Sequence, residues 1–229
     1  MRSGVVVIAI GQLLLISNTA PSQEDSAADS AKVRGPAVAW IIPVGIAASA
    51  ALDPELREWT LHRHTRSLDR LAKSVNPLGT AQRLVPAMAA TYLTALLTHH
   101  ESLAKGTLNT AAGYVAADLV ESALKPVVGR ERPHVEGNSH RFHPFTAQGD
   151  WHSFPSAHVA HITAIAQAIS MQTNSAPLTV LCGSLVALVG WDRLYEDQHW
   201  TSDVTATIAL SSIVSGATVR WLQHRFEQH

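Results

Sequence analysis

The chain has 229 residues, of which 46% are hydrophobic and 15% are charged, and its formal net charge is −1 at pH 7. This length suits one domain with a sizeable core, and the near-neutral charge offers no surface for a polyanion, so we expect no nucleic-acid partner. The low share of charged residues leans towards a helical protein close to a membrane. The single cysteine, Cys182, excludes an internal disulfide.

The N-terminus has the character of an export signal. Arg2 supplies a positive charge, and residues 5–16 form an apolar core that is too short to span a bilayer unaided. Two interpretations of residues 1–22 are open, a signal peptide that is cleaved and an anchor that is retained. Either one sends the following chain across the membrane. We therefore expect an exported protein, in the periplasm or cell envelope, membrane-associated or integral to the inner membrane.

A polar linker at residues 23–34 separates this segment from the main domain, which we place at residues 35–229. Helical patterns follow one another in that domain, at residues 37–52 with a break at Pro43, 54–73 with one polar side, 84–98, 107–124, 157–170, 178–191 and 204–222. No alternating strand pattern interrupts them. The sequence therefore predicts an all-α bundle of about six core helices.

Turn and loop signals divide these helices. Residues 76–79 (NPLG) are expected to form a turn, Pro126 to end the helix of residues 107–124, and residues 133–151 to form a polar loop. None of the apolar runs clearly reaches the roughly 20 residues of a comfortable membrane span. An integral bundle and a soluble or peripheral bundle are both compatible with the sequence.

Residues 191–203 (WDRLYEDQHWTSD) contain the strongest chemical pattern. Arg193 is followed by His199 and then by Asp203, four residues further on. A histidine and an aspartate at this spacing lie on one face of a helical turn. The carboxylate can accept a proton from one ring nitrogen and leave the other nitrogen free to attack, which is what a nucleophilic histidine needs.

Two further stretches strengthen this interpretation. They are residues 125–133 (KPVVGRERP) and residues 155–158 (PSAH). Together with residues 192–203 they resemble the signature of the type 2 phosphatidic acid phosphatase (PAP2) family, whose fold is shared with vanadium haloperoxidases. That signature runs Lys-x6-Arg-Pro, Pro-Ser-Gly-His and Ser-Arg-x5-His-x3-Asp. The resemblance covers about residues 124–203 and implies a PAP2-like helical bundle with a PAP2-type phosphatase domain at residues 35–229.

The resemblance implies a set of phosphate ligands: Lys125, Arg132, Ser156, Ala157 and Arg193. The three cations suit this role because a transferring phosphoryl group spreads negative charge over its non-bridging oxygens. The hydroxyl of Ser156 and the first free N–H groups of the helix that follows are also suited to an anion.

The resemblance also implies three catalytic residues. His158 is expected to be the general acid, His199 the nucleophile that forms a phosphohistidine, and Asp203 the group that holds the tautomer of His199. We expect no metal ligands and no cofactor, because the histidines follow no metal-binding spacing such as His-Glu-x-x-His.

Three positions depart from the signature or lie outside it. Ala157 replaces glycine, which is harmless if the backbone is helical there and strained if φ is positive. Asp192 replaces serine, and its carboxylate could orient Arg193 or lower the positive potential of the pocket. Arg130 matches no family position, and we interpret it as a solvated neighbour of the motif.

The function expected from these features is a metal-independent phosphatase. Its substrate would be a phosphate monoester or pyrophosphate, in particular a lipid phosphate. We also expect the protein to contact a membrane. The alternatives are a vanadate-dependent haloperoxidase, for which vanadate would be the cofactor, and a broad-specificity soluble acid phosphatase. The complete set of motif residues argues against a non-catalytic binding protein.

Overall fold

The computed structural model describes residues 36–173 and 175–227. The predicted signal or anchor (residues 1–22) and the predicted linker (residues 23–34) lie outside these residues. The described chain contains nine α-helices: α1 (Pro36–Ala51), α2 (Asp53–Leu61), α3 (Arg66–Val75), α4 (Ala81–Leu97), α5 (Glu101–Val128), α6 (Pro133–Glu136), α7 (Ala157–Thr173), α8 (Ala176–Tyr195) and α9 (Thr201–Glu227). Two 3₁₀ turns lie at Asn76–Gly79 and Gly149–Trp151.

The prediction of an all-α bundle is confirmed. Helix α7 is central and packs against α5, α8 and α9. The core between α7, α8 and α9 is built from fully buried β-branched residues, among them Val159, Val186, Val189 and Val204. Each such side chain stabilises the fold by roughly 1.5–3 kcal/mol relative to an exposed one. The core therefore fixes how the ends of these helices lie relative to one another.

The predicted helix over residues 54–73 is in fact two helices. It is interrupted after Leu61, and α3 begins only at Arg66. Thr65 has an extended backbone, and its hydroxyl accepts a hydrogen bond from the N–H of Leu68 at 3.2 Å. This side-chain cap satisfies a free donor of α3 and makes a separate helix start favourable.

Pro126 does not end α5, as the sequence had led us to expect. The helix continues to Val128 and ends at Gly129, which has a left-handed backbone with φ of 57°. The proline removes one helical N–H donor without ending the helix, and the left-handed glycine provides the actual stop. Lys125 therefore lies inside the last turn of α5.

Candidate active site

The three motifs meet at one end of the bundle. Helices α5 and α8 end there, carrying Lys125 and Arg193 in their last turns. Helices α7 and α9 begin there, with His158 and Asp203 in their first turns. His199 lies in the short connection between α8 and α9.

The electrostatics of the two histidines show that the cations lie close to them. The pKa of His199 is lowered well below its usual value, first by burial and then by Arg132, Lys125 and Arg193. The pKa of His158 is lowered to about 4, first by burial, with the same three cations among the further causes. Burial and nearby positive charge both disfavour an imidazolium. The end of the bundle therefore combines two neutral histidines with three cations.

Lys125 has a carboxylate partner inside the protein. Its ammonium group contacts the buried carboxylate of Glu121, one turn earlier in α5. Burial, followed by the charge of Arg132, lowers the pKa of Lys125 to about 8. The charge of Asp118 opposes this shift, because a neighbouring carboxylate favours the charged ammonium. At neutral pH Lys125 is thus a cation that an anionic ligand can approach.

Arg132 is half-buried, and only some of its guanidinium N–H donors form hydrogen bonds within the protein. Its Nε donates to the carbonyl of Gly149 at 3.0 Å, and its Nη1 donates to Oε1 of Gln198 at 2.5 Å. A guanidinium has five N–H donors, so three of those on Arg132 are left over for another acceptor.

The start of α7 presents two unpaired polar atoms. The hydroxyl of Ser156 and Nε2 of His158 are buried and have no hydrogen-bond partner among the described residues. A buried polar group without a hydrogen-bond partner destabilises the protein. A bound phosphate group would supply partners to both atoms. Ala157 is the first residue of α7 and has a helical backbone, so the replacement of glycine causes no strain at this position.

Asp192 pairs with Arg193, which was one of its two expected roles. Its Oδ2 accepts from Nε of Arg193 at 2.8 Å and also contacts Nη2. The same Nη2 donates to Oδ1 of Asn76 at 3.0 Å. Three of the five guanidinium donors are therefore used inside the protein, and the two on Nη1 are left for a ligand.

In the structure, His199 and Asp203 do not form the direct hydrogen bond that the sequence predicted. Nδ1 of His199 lies 2.5 Å from the backbone carbonyl of Ser153. Asp203 is the third residue of α9, and its Oδ2 turns back to the N–H of Trp200 at 2.9 Å. A carboxylate at this position commonly satisfies the N–H that precedes the helix, and this draws Asp203 away from His199.

Arg130 is not solvated, contrary to our interpretation of the sequence. It is 8% exposed and forms ion pairs with Asp53 at 2.8 Å and Asp203 at 2.5 Å. Ser153 lies outside the three motifs and was not identified from the sequence, yet its hydroxyl donates to Asp203 at 2.6 Å. No sequence spacing could have identified Asp53, because it lies 77 residues from Arg130 along the chain.

No group of three or more His, Cys, Asp or Glu side chains within residues 36–173 and 175–227 is arranged to hold a metal ion.

Comparisons with known proteins identify the fold and the family. A search of curated proteins found no match. Among solved structures, a transmembrane PAP2-type phosphatidylglycerolphosphate phosphatase from Bacillus subtilis is similar with a TM-score of 0.60 and 16% identity, over 96% of each chain. LpxE from Aquifex aeolicus is similar with a TM-score of 0.55 and 18% identity, over 74% of this chain and 95% of its own. The family model described as the PAP2 superfamily matches residues 106–227, which is more than half of the chain and includes all three motifs. The chain therefore belongs to the PAP2 superfamily.

Proposed function

We propose that the protein is a metal-independent phosphatase that hydrolyses a phosphate monoester or pyrophosphate, in particular a lipid phosphate, through a phosphohistidine intermediate. The observation that carries this proposal is the meeting of two neutral histidines with three cations at one end of the bundle. Membership of the PAP2 superfamily and the likeness to a PAP2-type phosphatase support it.

The ligands for the phosphate would be those expected from the motifs. Lys125, Arg132 and Nη1 of Arg193 would neutralise the non-bridging oxygens, where charge accumulates in the transition state. The hydroxyl of Ser156 and the N–H of Ala157, at the start of α7, would add neutral donors, which a helix N-terminus supplies readily. Binding would also give the buried Ser156 hydroxyl the partner that it lacks.

The chemistry would take two steps. The carbonyl of Ser153 accepts only, so Nδ1 of His199 carries a proton and Nε2 has a free lone pair. Nε2 would attack phosphorus while the bond to the leaving oxygen breaks. His158, which the bound phosphate dianion would stabilise in its protonated form, would give that oxygen a proton. Water would then attack the phosphohistidine, His158 would take a proton from the water, and inorganic phosphate would leave with the His199 ring restored.

The surface supports a lipid substrate and association with a membrane. Helix α8 and residues Thr201–Arg225 of α9 are long and apolar enough to cross a bilayer. Large apolar side chains are also exposed along α4 and α5, among them Leu93, Leu97 and Leu119. Large apolar side chains exposed in such number are expected where a protein contacts a membrane or a partner. A headgroup could reach the site from water while its acyl chains stay beside the helices.

A phosphate-release assay in the presence of a chelator tests this function. The substrates are a set of lipid phosphates, an isoprenoid pyrophosphate and a soluble aryl phosphate, and His199→Gln controls for contaminating phosphatases. We expect chelator-resistant release from amphiphilic substrates by the wild-type protein only.

Three other results would each favour a different function. Release from the aryl ester alone would favour a broad-specificity acid phosphatase. Halide oxidation by the vanadate-loaded protein, far above the rate with free vanadate, would favour a haloperoxidase. Activity lost in chelator and restored by a divalent metal would overturn the metal-independent mechanism.

A further inference from the structure

Arg130 is a buried hub beside the proposed nucleophile. Its Nη1 donates to Oδ1 of Asp203 at 2.5 Å and to the hydroxyl of Ser202 at 2.7 Å. Its Nη2 donates to Oδ2 of Asp53 at 2.8 Å and to the carbonyl of Ser139 at 2.9 Å. Its Nε also donates to that carbonyl, at 3.1 Å. All five N–H donors of the guanidinium therefore have partners inside the protein.

This complete pairing excludes Arg130 as a phosphate ligand in this arrangement. Arg132, two residues later, has three donors to spare. The two arginines of one motif thus have different tasks, and only one of them is able to offer hydrogen bonds to a phosphate.

A closed set of contacts connects Arg130 to His199. The guanidinium holds Asp203, and the other oxygen of Asp203 accepts from the hydroxyl of Ser153 at 2.6 Å. The backbone N–H of Ser153 donates to the carbonyl of Arg130 at 3.0 Å. Ser153 is thus held from both its side chain and its backbone, and its own carbonyl is the acceptor for Nδ1 of His199.

We propose that Arg130 is a positioning residue that fixes the ring of His199 by holding Asp203 and Ser153 in place. The effect of Arg130 on turnover rests on the proposed function, whereas its effect on the orientation of the His199 ring does not. A lysine cannot replace it, because an ammonium group lacks the planar fork that reaches Asp53 and Asp203 together. Asp203 would then assist His199 indirectly, through Ser153.

Arg130→Lys and Arg132→Lys form a matched pair that tests this role. The first should lower kcat by about tenfold or more, because a misplaced nucleophile slows the chemical step. It should leave the constant for competitive inhibition by inorganic phosphate unchanged, because phosphate needs the cations and not an aligned His199. The second should weaken phosphate inhibition and raise KM. A phosphate inhibition constant that rises in Arg130→Lys while kcat holds would make Arg130 a phosphate ligand and overturn the proposal.

A second measurement does not depend on activity. ¹⁵N NMR of the histidine rings, with His199→Gln for assignment, reports which ring nitrogen of His199 carries the proton. We expect the proton on Nδ1 in the wild type and a new population with the proton on Nε2 in Arg130→Lys. Ser153→Ala removes the link to Asp203 without removing a charge, and it should show the same change if Arg130→Lys does not fold.

The two measurements separate the possible failures. A wild-type ring state in the folded variants would overturn the positioning role. If the wild type releases no phosphate from any ester, the proposed function fails, and the ring state still decides whether Arg130 positions His199.

Discussion

At the scale of single residues, the pocket contains its own counter-charges. Glu121 contacts Lys125, and Asp192 contacts Arg193, and both carboxylates are buried. A phosphate group would therefore compete with protein acceptors for the cations that are proposed to bind it. Such internal pairing holds the cations in place but reduces the positive potential that the ligand meets.

Asp192→Ser introduces the residue that the family signature has at this position. We expect vanadate and phosphate to bind roughly tenfold more tightly, because a buried negative charge beside the pocket is removed. The measurement is the vanadate inhibition constant at fixed ionic strength. Asp192→Asn is the matched control, since it removes the charge and keeps an acceptor for Arg193, and it should tighten binding as well. Weaker binding in both variants would show that orientation of Arg193 matters more than the charge.

His158 makes the site sensitive to pH. Its pKa is lowered to about 4, so His158 is neutral at pH 7. Because the folded value lies below the ordinary value of about 6.5, its neutral form contributes stability above pH 6.5, and this contribution is lost as the pH falls towards 4. A bound phosphate dianion offsets the cations and should raise the pKa of His158.

NMR titration of His158 with and without inorganic phosphate measures this change. Spectra of His158→Gln assign the signal. An identical titration in the two conditions would mean that phosphate does not bind beside His158, and would remove this residue as the general acid.

At the scale of elements, the segment after α5 is held by the loop that follows it. The N–H of His143 donates to the carbonyl of Gly129 at 2.7 Å, and the N–H of Phe145 donates to that of Pro126 at 2.6 Å. The N–H of Glu131 donates to the carbonyl of Arg141 at 3.1 Å. These backbone bonds lie on both sides of Arg130 and limit where its side chain can point.

Gly129→Ala should disrupt this segment. A β-carbon at residue 129 would overlap the carbonyl oxygen of His143, and the left-handed φ of 57° alone costs an alanine about 1–2 kcal/mol. We expect a lower melting temperature and a large loss of phosphatase activity. Gly149→Ala is the control, because an added β-carbon there meets nothing within 4 Å. Equal melting temperatures for the two variants would show that the loop adapts and does not constrain the segment.

The elements also show what a sequence can and cannot predict here. The motif spacings predicted a site that includes Lys125, His158 and Arg193, and in the structure each of these residues lies in the first or last turn of a helix. The partners of Arg130 could not be predicted, since Asp53 is far away in sequence and resembles an ordinary helix start before proline. The role of Pro126 was misjudged because the helix includes this proline and is ended by the left-handed glycine three residues later.

At the scale of the whole molecule, the site lies at one end of the bundle and the exposed apolar side chains lie along its helices. We expect the protein to fractionate with membranes and its site to face the aqueous side of the membrane, outside the cytoplasm. The expectation of export depends on residues 1–22.

Cysteine labelling tests this topology. His140 is exposed in the loop beside the site, so His140→Cys in a Cys182→Ala background provides one reactive thiol. An impermeant thiol reagent should label it in intact spheroplasts. Labelling only after lysis of the inner membrane would place the site in the cytoplasm.

The central claim for the molecule is a covalent phosphoryl group on His199. The most direct measurement is alkaline quenching of the enzyme during turnover of a phosphate ester, followed by mass spectrometry of the peptide that contains residues 199–203. We predict a phosphoryl group on His199 that is stable to alkali and released by acid. Two controls should lack this group: His158→Ala without substrate, and His199→Gln with substrate. Full turnover by the wild type with an unmodified His199 at every quench time, or wild-type turnover by His199→Gln, would contradict the account.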